Sequence, residues 1–170
     1  MMPTLVDSHC HIDFSTFDAD LDETIARAHE AGISKILTIC TKPTNLPRVL
    51  EITNRYPTVF FAVGSHPLNT KKDDFFNRKD ILDVASHPKM IGIGETGLDY
   101  FYSAENAECQ KTQFKMHISL ARECSLPLIV HSRSADNDMI KILRDQHNMG
   151  HFDCVLHCFS SGVDLANAAI

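Results

Sequence analysis

The stretch "TLVDSHCHIDFSTFDADLDETIARAHEAGISKILTIC", residues 4–40, sets a short apolar run, a helix-spaced segment and a second apolar run end to end. "TLVDSH" (4–9) and "KILTIC" (35–40) have the β-branched, apolar character of strands. Between them, "DADLDETIARAHEAG" (18–32) places Leu21, Ile25 and Ala28 on one helical face. Asp20 and Glu23 suit a capping box at its start, and Gly32 suits its stop. A strand, a helix and a strand in that order predict a parallel βαβ unit.

The alternation continues along the chain. "VFFAVG" (59–64), "MIGIGE" (90–95), "LPLIVH" (126–131) and "DCVLHC" (153–158) read as further strands. "NLPRVLEITNRY" reads as a helix, with Pro47 near its start and Pro57 just beyond its end. Helical spacing also covers roughly 75–86, 104–124 and 135–147, and resumes from Val163. No G-x-G-x-x-G follows the first strand, so a dinucleotide fold lacks its usual marker. The alternative is a (β/α)₈ barrel, whose catalytic groups lie at the C-terminal ends of strands. His9, His11, His66, Glu95, His131 and His157 all fall at such ends.

A whole barrel takes about 250 residues, and the 170 residues here supply about six βα units. The expected fold is therefore α/β, a TIM (β/α)₈-type barrel incomplete in this chain, forming a single hydrolase domain over 1–170. Its first and sixth strands would be left as open edges. An open sheet is the competing architecture.

Composition narrows the function. The chain is 44% hydrophobic and 22% charged, in the ordinary globular range. No apolar run approaches the roughly 18–20 residues of a membrane span, and the N-terminus lacks the pattern of a secretory signal. The expected location is cytoplasmic, with no membrane and no obligate protein partner. A formal charge of −6 opposes a broad basic footprint for nucleic acid, but not a nucleic-acid substrate gripped by metal ions and a few arginines. Six cysteines without a C-x-x-C pair read as reduced thiols, with Cys10, Cys40, Cys154 and Cys158 in strand-like, buried settings. Ten histidines favour a metal site.

Strand parity sorts the polar residues. His9 and His11 are two apart and point to one face, while Cys10 points to the other, toward the helices. Asp7 shares the histidines' parity, as an imidazole partner or as a solvated cap. Ile91, Ile93 and Glu95 share a face, as do Pro127, Ile129 and His131, and Val155 with His157; Cys154 and Cys158 point away. One carboxylate and four histidines at strand ends suit one or two divalent ions. His29, His87, His117, His147 and His151 fall in helical or loop segments and read as surface or packing residues.

"LVDSHCHID", "FAVGSHPLN", "IGIGETGLDYFY", "LPLIVHSRSA" and "VLHCFSSG" resemble the successive motifs of the TatD family of metal-dependent deoxyribonucleases, from Val6 to the last residue. That resemblance implies a barrel with two divalent metal ions (Mg, Mn or Zn). It implies His9, His11, His131 and His157 as metal ligands and Glu95 as the bridging, catalytic carboxylate. His66 and Arg133 would contact the substrate phosphate, and Asp99 and Tyr100 would shape the loop beside Glu95. The family's aspartate at the eighth strand has no counterpart up to Ile170, so activity is expected of a longer parent chain. The implied reaction is phosphodiester hydrolysis of DNA, with RNA as a further candidate substrate. Two alternatives stand beside it: a metal-dependent amide or ester hydrolase, such as an aminoacyl-RNA deacylase, and a non-catalytic metal-binding fragment.

Overall fold

A computed structural model describes residues 4–70 and 75–170. Six strands follow one another across a single parallel sheet in chain order: β1 (Leu5–Cys10), β2 (Ile33–Cys40), β3 (Val59–Val63), β4 (Met90–Asp99), β5 (Leu128–Arg133) and β6 (Cys154–Leu156). The crossovers carry α1 (Leu21–Glu30), α2 (Leu46–Arg55), α3 (Arg78–Ala85), α4 (Tyr100–Ser103), α5 (Ala107–Cys124) and α6 (Asp136–His147), and α7 (Val163–Ala169) follows β6. Strands one to six lie about 4.8 Å apart, so in a flat sheet the ends of β1 and β6 would be separated by about 24 Å. Instead the ring of His9, on β1, stacks on that of His157, just past β6, with centroids 3.5 Å apart. The sheet is therefore curled, as in a TIM-type barrel with six of its eight strands.

Curling creates an inside and an outside. Phe61, Val63, Ile93, Leu128 and Val130 point outward into the main core with Phe114 and Ile118 of α5 and Met139 of α6. Ile36, Val59, Ile25 and Ile52 form a second outward cluster under α1 and α2. Ile39, Ala62 and Ile129 face inward and pack on one another. Inside the curl, space is so short that backbone meets backbone: a Cβ on Gly64 would lie 2.4 Å from the Cα of Gly94. Only glycine permits that approach.

Several sequence-based expectations change. β4 continues four residues beyond Glu95, to Asp99, and β5 begins two residues late, at Leu128. Asp20 precedes α1 but makes no capping bond; its carboxylate instead accepts from Arg27, across an exposed face. The capping box lies at α3, where Asn77 and Asp80 bond reciprocally. Gly32 does stop α1, with φ at +91°. Cys158 is exposed rather than buried, because the chain leaves the sheet at Leu156 and turns through a positive φ there. Among the described residues no helix is long and apolar enough to cross a membrane.

Gly64→Ala should lower stability by at least about 2 kcal/mol, since neither backbone can yield, whereas Gly162→Ala, with nothing within 4 Å, should stay within about 0.5 kcal/mol. Urea unfolding midpoints of the two variants test this; equal midpoints would contradict the close approach.

Candidate metal centre

The inward turn of Glu95 begins with an irregularity in β4. Gly94 pairs with Ile129 and Thr96 with the next residue, Val130, so Glu95 is an extra residue in the strand. Ile93 points outward into the main core, and strict alternation would send Glu95 after it. The bulge reverses this and aims the carboxylate inward. Parity therefore assigned Ile93 and Glu95 to one face wrongly, although the inward aim of Glu95 is as expected. A similar shift in β1 separates Asp7 from His9. Asp7 pairs with outward-facing Ile36, and its carboxylate accepts from the backbone N–H of His9 at 3.1 Å. It caps the local backbone and holds no imidazole.

Glu95 is 3% exposed and lies between two groups of imidazoles. Its Oε2 meets His9 Nε2 at 3.1 Å, while its Oε1 meets His131 Nδ1 at 2.9 Å and His66 Nε2 at 3.7 Å. Burial alone would raise its pKa, but the hydrogen bonds with His131 and His9 outweigh that and hold it well below the usual carboxylate range. The acid is thus ionised. His9, His11 and Glu95 bring one donor atom each within 4.8 Å of the others, and so do His66, Glu95 and His131. Imidazole nitrogens around a shared carboxylate are a donor set suited to divalent transition ions.

Hydrogen bonds around the site fix which nitrogen of each ring is available. A carbonyl can only accept, so His11 Nδ1 carries the hydrogen in its 3.0 Å bond to Ile39 O, leaving Nε2 as a free donor atom for a metal. His131 Nε2 meets buried Asp99 at 3.0 Å, an arrangement that leaves Nδ1 for an ion beside Glu95. Burial lowers the pKa of His131, but Glu95 and then Asp99 push it above the ordinary imidazole value. His66 differs. Its Nδ1 accepts from the backbone N–H of Leu68, so in the neutral ring Nε2 bears the hydrogen and is a donor, not a lone pair. Burial takes its pKa down to about 4, against the pull of Glu95, which keeps it neutral.

A layer of residues that sequence reading missed holds these groups. Asp99 was expected to shape a loop; it also orients His131, and its other oxygen accepts from Tyr102 N–H. Gln110, buried on α5, brackets the Asp99 backbone, accepting from its N–H at 2.8 Å and donating to its carbonyl at 3.1 Å. His117, read as packing, is fully buried and accepts from Ser65 N–H next to His66, while Nδ1 bonds Gln113 O. A buried glutamine or histidine on an amphipathic helix carries no sequence signal of such a role.

His157 lines the same cavity of about 540 Å³ as His11, His66, Glu95 and His131, but its ring stacks flat on His9 and it belongs to neither compact donor group. Burial and then the neighbouring His9 lower its pKa, which favours the neutral ring with one nitrogen lone pair available. Arg133 borders the cavity, with its guanidinium resting on Phe101 and Tyr102. Cys158 also lines the cavity, contrary to the expectation that it points away.

The profile of the family described as TatD related DNase matches residues 6–170. The chain is 34% identical over 167 residues to the uncharacterized metal-dependent hydrolase YcfH of Escherichia coli K12, covering 95% of this chain and 61% of that protein. It is 30% identical over 162 residues to the uncharacterized metal-dependent hydrolase YabD of Bacillus subtilis, covering 95% and 63%. The crystal structure of YjjV, a TatD homologue from Escherichia coli K12, superposes with a TM-score of 0.85 at 28% identity, covering 99% of this chain and 65% of that one. The chain thus spans a little under two thirds of the length of the relatives it matches.

Mn²⁺ or Zn²⁺ at about a hundred times its dissociation constant should stabilise the protein by about 2.7 kcal/mol, read as a rise in Tm. Because an ion must displace the proton that Glu95 and Asp99 hold on His131, the rise should grow from about pH 6 to about pH 8. It should fall in the His9→Ala/His11→Ala double variant, which removes one of the two donor groups; an undiminished rise there would contradict the site.

Proposed function

We propose, on the footing that the chain belongs to the TatD family of metal-dependent hydrolases, that the complete protein cleaves phosphodiester bonds of DNA with two divalent cations. One observation carries the reading: the two oxygens of a single buried carboxylate are divided between His9 on one side and His131 on the other. A carboxylate so placed suits a bridge between two ions. His9, His11, Glu95 and His131, with His157 at the rim, would hold the cations, which supply Lewis acidity and an acidified water.

The chain's own residues then divide the remaining work. Glu95, ionised and locked between imidazoles, keeps the donor atoms converged before substrate arrives. Asp99 and the Ile39 carbonyl hold His131 and His11 in the tautomers that leave one nitrogen facing the cavity. His66 presents Nε2–H to the same space, where it donates to a non-bridging phosphoryl oxygen. Its low pKa means that it serves as a neutral donor, without competing charge beside the cations. Arg133, at the cavity's edge, supplies a fixed positive charge for the substrate phosphate in a chain whose own net charge is −6.

The test is a cleavage assay of the full-length parent protein with Mn²⁺ or Mg²⁺ on single-stranded DNA. Cleavage is expected, and Glu95→Gln or the His9→Ala/His11→Ala pair should reduce kcat/KM by at least about 100-fold. Absence of cleavage, or cleavage equal in the variants, would overturn the reading.

A further inference from the structure

The cavity at the imidazoles does not stand alone. Arg133 and Ser160 line it and also line a neighbouring cavity of about 880 Å³, together with Tyr100, Phe101, Ser134 and Asn137. Both volumes lie in the roughly 300–1,000 Å³ range of ligand sites. At the shared wall, the guanidinium of Arg133 sits 4.3 Å from the ring centroid of Phe101 and 4.6 Å from that of Tyr102. The two rings meet edge to face at 4.7 Å, and each residue is 59% exposed. Among the described residues no carboxylate pairs with Arg133.

Two exposed rings that already carry a guanidinium, at the wall shared by two cavities, offer flat faces on which a further planar ring can stack. The acidic residues lining the larger cavity are already engaged. Asp138 accepts from Tyr100 OH and pairs with Lys111, both at 2.7 Å, and Asp136 accepts from Ser161 Oγ at 2.8 Å. Lys111 offsets the charge of Asp138, whereas Asp136 keeps its own, which leaves Arg133 as the anion contact at the shared wall. The aromatic corner is also tied to the metal centre: Asp99 holds His131 through Oδ2 and the backbone of Tyr102 through Oδ1. Gln110 fixes both Asp99 and the Ser103 carbonyl. Platform and imidazole are thus set at a constant separation by one carboxylate.

We propose that Phe101, Tyr102 and Arg133 form a subsite for the nucleotide adjoining the scissile phosphate, with the base stacked on the rings and its phosphate on Arg133. The substrate class is single-stranded DNA, because a base inside a duplex has both faces covered and cannot reach the rings. Stacking tolerates any base, so the subsite reads unpaired strand and not sequence. This deepens the phosphodiesterase reading and rests on it.

The experiment uses the full-length protein and a single-stranded deoxyadenosine hexamer, compared with hexamers carrying an abasic residue at each position in turn. With Mn²⁺, one abasic position should lower kcat/KM by about 5- to 150-fold, the range expected for losing one stacked base. In Phe101→Ala/Tyr102→Ala that selectivity should collapse toward unity, chiefly through KM, and Phe101→Tyr/Tyr102→Phe should restore it. Because both rings are exposed, the alanine pair should keep its fold, checked by an unchanged metal-induced rise in Tm. A second arm measures anisotropy of the same labelled hexamers in EDTA, where no hydrolysis occurs. Cleavage with selectivity equal in wild type and the alanine pair would overturn the subsite and leave the phosphodiesterase reading intact. Base-dependent binding that the alanine pair loses, in a protein that cleaves no DNA, would support the subsite and overturn the reaction. Binding indifferent to the abasic residue would overturn the subsite in either case.

Discussion

A buried carboxylate with imidazoles on both sides is the constraint around which the inner face of this sheet is arranged. Taking an ionised acid out of water costs several kcal/mol unless partners replace the lost hydration. Glu95 accepts that burial because His9 and His131 each meet one of its oxygens. Those histidines come from β1 and β5, at a distance along the sheet that only curling can close. The attraction and the curl are therefore mutually dependent: the rolled sheet brings the rings to the acid, and the acid gives the rolled interior a reason to be polar.

The same constraint explains the glycines of β4 and the strand before it. To aim Glu95 inward, β4 takes an extra residue, and the backbone on either side must press against its neighbours. Gly64 and Gly94 meet with no room for a Cβ, and Gly97, with φ at +147°, runs against the His131 carbonyl. Past Gly97 the strand recovers its alternation, which puts Asp99 opposite Arg133 on the inner face and within reach of His131. A single bulge thus positions both the central acid and the residue that orients one of its partners.

Much of this was legible in the amino-acid order. The alternation of apolar runs and helical segments gave the parallel sheet, and two histidines at a spacing of two gave a shared face, because strand geometry has a period of two. Where period two breaks, the reading breaks with it. Nothing in "GIGETG" says that Glu95 is an inserted residue, and the glycines that permit the bulge are also compatible with a regular strand. Asp7 failed as an imidazole partner for the same reason, through a shift in β1. Asp20 failed as a cap because an exposed arginine competed for its carboxylate. Gln110 and His117 were invisible because their roles depend on which backbone groups α5 happens to cover.

The most direct test is crystallographic: the protein soaked in Mn²⁺, with anomalous difference maps collected at a wavelength where manganese scatters. The account predicts peaks on either side of Glu95, about 2.0–2.3 Å from the carboxylate oxygens and from nitrogens of His9 and His11 on one side and His131 on the other. Peaks elsewhere, or a Glu95 side chain turned out of the curl with the imidazoles dispersed, would contradict it.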